Sequence, residues 1–263
     1  MRKLLYIMLI VLATTNSYAQ GCSDAGICSI GNNFSASGKV LKNNVEFSVI
    51  FGKGEGDVSY FSNYISYTRK INDKISWSSK VTFSSASGSF GKRSAFGDAF
   101  LIGKYTFAAK DNKQWSILLG SKIPFTTSNL KINGFSLPLD YQSSLGTFDL
   151  LLATNFKYKK WDFNSAIQIP VFNNNKNSYF EEFSGTDDFL STNLFERKSD
   201  ALFRATYSIN TKNQKFTFKP NVLFIYHLSE DSFENIYGKR ENIIGSEGLT
   251  INGNLISTPV GCN

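Results

Sequence analysis

The sequence predicts an all-β protein, an antiparallel transmembrane β-barrel with about ten visible strands. Three observations lead there. Polar and apolar residues alternate over stretches of ten or more, as in "GDAFLIGKYTFAA" (97–109) and "TFDLLLATNFKY" (147–158). Such period-two patterning is expected when one face of a strand meets lipid and the other a polar lumen. The chain opens on an export-type segment. It is also rich in aromatic residues, with 24 Phe and 12 Tyr, which suit lipid-facing strands and interfacial girdles.

Residues 1–19 read "MRKLLYIMLIVLATTNSYA". Arg2 and Lys3 form a positive start, Leu4 to Ala13 an apolar middle, and Ser17-Tyr18-Ala19 a small–x–small end. This is the pattern of a signal peptide cleaved after Ala19. The apolar stretch is too short to favour a membrane anchor. Residues 20–43 are small, polar and glycine-rich and read as an irregular lead-in or a plug. Cys22 and Cys28 in "CSDAGIC" are spaced to permit a short disulfide loop, and an exported chain can meet an oxidising compartment. Cys22 follows the signal closely enough that lipidation is an alternative. Cys262 is left over.

Strand-like segments then follow at 44–53, 58–71, 74–86, 97–109, 114–124, 147–159, 161–171, 199–210, 214–229 and 248–257. Turn signals separate many of them: "GKGEG" at 52–56, Asn72-Asp73, Lys110 to Lys113, Tyr158 to Lys160, and "NTKNQ" at 210–214. Longer irregular pieces are expected at 84–96, 125–146, 172–198 and 230–247. Short turns alternating with long loops fit outer-membrane barrels. In the strand at 97–109, Leu101, Gly103, Tyr105 and Phe107 share one parity and suit a lipid face. Lys104 then points to the lumen. Pro124 and Pro170 close their segments, whereas Pro220 lies inside "FTFKPNVLF" and predicts a bulge or interruption.

The chemistry-bearing residues are sparse. The formal charge of +7 falls to about +5 once Arg2 and Lys3 are removed. Lysines and acids are interspersed, so no dense basic block marks a nucleic-acid partner. The single histidine, His227, pairs with Glu230 or Asp231 only if the chain folds back locally. No nucleophile elbow, phosphate-binding loop or zinc-ligand spacing is present in the sequence. The expectation is a protein that is not an enzyme and needs no cofactor. The residues placed to line a lumen or contact a solute are Asp98, Lys104, Asp149 and Arg204, with Phe125, Phe135 and Tyr141 of loop 125–146 as an aromatic access patch.

Gly97-Asp98 opens a long strand ending in "KYTF", followed by "GSKIP" at 120–124 and "LPLDYQSSLGTFD" at 137–149. Trp161 begins the next strand, and "GSEGLTIN" stands at 245–252. In these pieces the chain, over about 90–260, resembles a family of bacterial outer-membrane β-barrel transporters associated with degradation of phenol and other hydrophobic compounds. "PFTTS" departs from it, since relatives carry a glycine soon after the strand-ending proline, and so does the lead-in. The chain ends "STPVGCN" rather than in a strand with a terminal aromatic residue. Strands are therefore expected beyond Ile256, twelve in a complete barrel, and the chain reads as C-terminally truncated.

The resemblance implies a passive outer-membrane channel or binding barrel for small hydrophobic or aromatic molecules. Its expected partners are outer-membrane lipid, the barrel-insertion machinery and small hydrophobic solutes. The alternatives are a non-transport surface scaffold or adhesion barrel, for which loop 172–198 is the relevant feature, and, less favoured, an outer-membrane esterase or phospholipase.

Overall fold

The computed structural model describes residues 42–210 and 216–259. The segment expected to be a signal peptide (1–19), most of the expected lead-in (20–43), and Cys22, Cys28 and Cys262 lie outside the described residues.

Ten long strands carry the fold. They are β1 (Asn43–Lys53), β2 (Ser59–Lys70), β3 (Ile75–Gly88), β4 (Gly91–Thr106), β5 (Lys113–Pro124), β6 (Thr147–Tyr158), β7 (Trp161–Asn173), β8 (Asp200–Tyr207), β10 (Phe216–His227) and β11 (Gly248–Pro259), with the two-residue β9 (Ile209–Asn210) between β8 and β10. All join one 11-stranded sheet. Each long strand pairs antiparallel with its neighbour in sequence, so the sheet is a meander. Two small hairpins, 131–136 and 232–242, lie outside it.

The turns follow from their residues. At β2–β3, the side-chain carbonyl of Asn72 accepts the N–H of Lys74 and Ile75 at 2.9 and 2.8 Å, an Asx-type turn. At β4–β5, Asp111 and Asn112 both have positive φ (52° and 60°), as a tight hairpin matched to strand twist requires. Pro220 explains β9. The β8–β10 ladder stops at Thr206–Asn221 and resumes at Ile209–Phe218. Pro220 sits in that gap, where its missing N–H removes a rung. On its other side β10 pairs with β11 without a register shift. The expected break is thus a lapse on one edge of an otherwise continuous strand.

The segment 84–96, expected as a loop, is instead strand on both sides of a tight turn. Gly88 pairs with Gly91, whose φ is 105°. Its serines and glycines look like loop residues. Yet Ser84, Ala86 and Arg93 are buried on the inner face beneath loop 125–146, and that packing overrides weak local propensity.

The inner face of the sheet is packed, apolar in its middle and polar towards its two ends, and the outer face is apolar and exposed. Phe100, Ile102, Leu118, Leu151, Ala153, Ala166, Leu202, Leu223 and Ile225 form one buried cluster contributed by β4 to β8 and β10. They account for much of the burial energy, at about 1.5–3 kcal/mol for a fully buried large aliphatic or aromatic side chain. Alternate residues of the same strands, such as Leu101, Ile117, Leu119 and Leu152, are exposed. A second cluster (Val58, Ala86, Leu137, Tyr141, Tyr179 and Phe189) sits where loops 125–146 and 174–199 fold over β2–β4.

The closed barrel is not what forms. Among the described residues β1 pairs only with β2 and β11 only with β10, so the sheet is open. A conducting wall must close on itself, and the middle of this inner face is occupied by apolar side chains. The expectations that depended on closure are corrected with it. They are the porin-like channel or binding barrel, the adhesion-barrel alternative, the outer-membrane location, and contact with outer-membrane lipid and the insertion machinery. Alternation fixes which side chains share a face; it carries no information on whether the first and last strands meet. No helix among the described residues is long and apolar enough to cross a membrane.

Candidate functional site

The apolar cluster divides the polar residues of the inner face into two ends. At the loop end, charges are paired. Lys122 on β5 stands opposite Asp149 on β6 in the register. Its Nζ lies 2.6 Å from Asp149 Oδ2, with both side chains essentially solvent-free. Lys122 also donates to Thr147 Oγ1 at 2.9 Å, and Gln168 Nε2 donates to Asp149 Oδ2. Asp98 accepts from Ser144 Oγ at 2.6 Å. Arg93 spans the β3–loop contact, donating to the carbonyls of Ser84, Tyr141 and Gln142.

Asp200, on β8 opposite His227 on β10, joins three elements. Arg197 Nη2 lies 2.6 Å from its Oδ2 and His227 Nδ1 2.5 Å from its Oδ1. Burial alone would raise the Asp200 carboxyl; the His227 hydrogen bond and the Arg197 charge outweigh it and hold it below the usual carboxylate range. Asp231 nearby is raised, chiefly by burial. Asp200 binds protons less readily folded than unfolded. Its stabilisation is therefore complete above about pH 4 and is lost as pH falls through the folded value. Asp200→Asn is expected to flatten the acid limb of the stability profile. Urea unfolding between about pH 2 and 6 measures this; an unchanged acid limb would refute it.

At the turn end the balance is cationic. Lys104, Lys157, Arg204 and Lys219 lie on β4, β6, β8 and β10, and Asp162 on β7 sits among them. Lys157 Nζ is 3.7 Å from Asp162 Oδ2. Asn155 and Asn164 also donate to Asp162, the latter at 3.2 Å. Burial, then the charge of Lys157, lowers Lys104 to about 8 against the partial attraction of Asp162. Burial also lowers Lys219 and raises Asp162.

The outer face carries a groove of about 1140 Å³ across β3–β7. Gly103, Thr154 and Ser165 line it together with the larger Trp77, Tyr105 and Leu119.

The seven sequence-selected residues do not form one site. Asp98 and Asp149 lie at the loop end, while Lys104 and Arg204 lie at the turn end. Phe125 and Phe135 are exposed on the loop, and Tyr141 is fully buried beneath it. Sequence reasoning missed Lys122, Arg93, Arg197, Asp200, Lys157, Asp162 and Lys219 as partners. The signal for Lys122–Asp149 and Asp200–His227 was strand parity, which becomes informative only when the register between strands is known. Among the described residues no group of three or more His, Cys, Asp or Glu is placed to hold a metal. No protein-family description and no curated protein matches the chain.

Proposed function

We propose that this protein is a non-catalytic assembly module, an open antiparallel β-sheet that associates with a second copy of itself through the β1 edge. The observation that carries the reading is the state of that edge. β1 is eleven residues long and paired on one side only among the described residues. It has no proline and no register shift. Val45, Phe47, Val49 and Phe51 project from its outer face, with Phe47 68% and Phe51 75% exposed. Natural edge strands carry charge, proline, bulges or brevity to prevent pairing. Apart from Glu46 on the inner side and Lys53 at the end, β1 has none of these.

The strand is self-complementary. An antiparallel β1–β1 pair about a two-fold axis at Ser48 sets Phe47 opposite Val49 and Val45 opposite Phe51. These are aromatic–β-branched cross-strand pairs, and no like charges oppose. The apolar outer face continues across the join. The paired charges of the loop end serve in this reading to tie neighbouring strands together rather than to perform chemistry.

Sedimentation of the full chain over a range of concentrations tests the proposal. The wild type is expected to dimerise. Phe47→Lys is expected to raise the dissociation constant at least tenfold, because a lysine on an edge opposes pairing. Phe135→Lys, an exposed loop position away from the edge, is expected to have no effect. A monomeric wild type, or equal effects of the two substitutions, would overturn the reading; the second outcome would mean nonspecific apolar contact.

A further inference from the structure

We propose that Asn133-Gly134, at the tip of the 131–136 hairpin, is a site of spontaneous covalent modification, where the asparagine cyclises to a succinimide and water opens it to isoaspartate or aspartate. This inference is independent of how copies associate. The tripeptide Ile-Asn-Gly occurs twice in the chain, at 132–134 and 251–253, so the reacting groups are the same in both places. Their surroundings are not. Ile132 pairs with Phe135 and Lys131 with Ser136, and these two pairs are the whole ladder of the hairpin. Asn133 and Gly134 form its tip with φ of 52° and 84°, a two-residue turn that Asn-Gly favours. Both are exposed. Neither the Asn133 side chain nor the Gly134 N–H has a hydrogen-bond partner among the described residues, and the space beside the Gly134 Cα is open. Asn252-Gly253 instead lies inside β11, opposite Leu223 and Val222. Its ladder with β10 runs from Phe216–Pro259 to His227–Gly248 without a shift.

The Gly134 nitrogen attacks Cγ of Asn133. The N–Cγ bond forms, the Cγ–Nδ2 bond breaks, and Nδ2 leaves as ammonia with the proton that the Gly134 nitrogen gives up. Water then opens the ring at one of its two carbonyls. Opening at the main-chain carbonyl of Asn133 leaves isoaspartate, with the chain running through Cγ; opening at Cγ leaves aspartate. Water is the only co-reactant. Glycine favours the attack because it has no Cβ to crowd the nitrogen. Ring closure needs backbone freedom about the asparagine, an intrinsically thermolabile residue. Opening a two-pair hairpin costs little, whereas opening the interior of a long ladder requires sub-global unfolding. The product alters the hairpin. Isoaspartate adds one backbone atom to the turn, which then no longer sets Ile132 opposite Phe135. Ile132 packs against the cluster that contains Val58, Leu137 and Tyr141. The root of the hairpin is held separately: Gln142 Oε1 accepts the Leu130 N–H at 2.8 Å, and Gln142 Nε2 donates to the Leu137 carbonyl at 2.9 Å. Modification therefore releases the tip and leaves the root in place.

Peptide mapping by mass spectrometry of the full chain, sampled during incubation in mildly alkaline buffer, tests the site. Electron-transfer fragmentation separates isoaspartate from aspartate. In the folded chain, conversion at Asn133 is expected to be at least about tenfold faster than at Asn252, where the ladder must open first. In urea the two are expected to convert at similar rates. An intact Asn133, or equal rates at the two positions in the folded chain, would overturn the proposal. The same ratio in urea as in buffer would also overturn it, by assigning the difference to flanking residues. Aspartate without isoaspartate would overturn the cyclic route. Asn133→Gly keeps a sequence that the turn accepts and is expected to show no conversion at 133 and unchanged hydrogen exchange over 131–136. In the converted wild type, exchange over 131–136 is expected to rise while that of Gln142 stays the same; unchanged exchange in the isoaspartate form would overturn the release of the tip.

Discussion

Asp149→Ala is expected to lower the stability of the folded chain by about 3–5 kcal/mol, the cost of leaving a buried charge without its partner. The number is large because Lys122 has nowhere else to put its charge. Its side chain is 1% exposed, and its remaining bond is to the neutral hydroxyl of Thr147. Gln168 loses this one of its bonds in the same variant. Replacing both partners, Lys122→Met with Asp149→Leu, is expected to recover most of the loss, since an apolar pair of similar volume leaves no stranded charge. Urea unfolding of the two single variants and the double variant measures the coupling. A double variant no more stable than Asp149→Ala would show that the deficit comes from packing and not from the unpaired ammonium.

Tyr141→Ala is expected to cost about 3–5 kcal/mol, the range for truncating a buried aromatic residue. Tyr141 is 0% exposed. Its ring packs edge-on against Phe90 and Phe189 at 5.7 and 6.0 Å. Its hydroxyl accepts the N–H of Phe90 at 3.2 Å, over a spot where Gly88 has no side chain; a Cβ there would come within 2.3 Å of that oxygen. Loop 125–146 is thereby fastened to the β3–β4 turn from above, while Arg93 holds it from below through two backbone carbonyls. Tyr141→Phe removes only the hydroxyl and is expected to cost about 1 kcal/mol. Thermal unfolding of both variants separates ring from hydroxyl. Equal losses would mean that the hydroxyl, not the packed ring, secures the loop.

The strands were legible in the sequence because the two faces of this sheet meet different surroundings. Trp161 to Ile169 alternates cleanly, and β7 follows that alternation, with Asn164, Ala166 and Gln168 buried between more open neighbours. Residues 84–96 were misread because serine and glycine say "loop" locally while their burial depends on a loop some fifty residues away. The charge partners were hidden for a related reason. Asp149 and Arg204 were singled out, but Lys122 and Asn164 become their cross-strand neighbours only through the register between strands. Closure was illegible altogether. Alternation in β1 and in the segment that forms β11 describes each strand's faces, whereas the meeting of two strand edges depends on summed twist and curvature along every strand between them.

The meander also sets an order of events as the chain folds. Every long strand finds its partner in the next stretch of sequence, so no pairing must wait for a distant segment to arrive. The sheet can lengthen one hairpin at a time behind the point of synthesis, with low loop-closure cost at each step. Each stage then ends in a temporary raw edge until the following strand docks. Among the described residues β1 keeps such an edge from the first hairpin onward, and whatever pairs with it can do so from the earliest moment that hairpin exists.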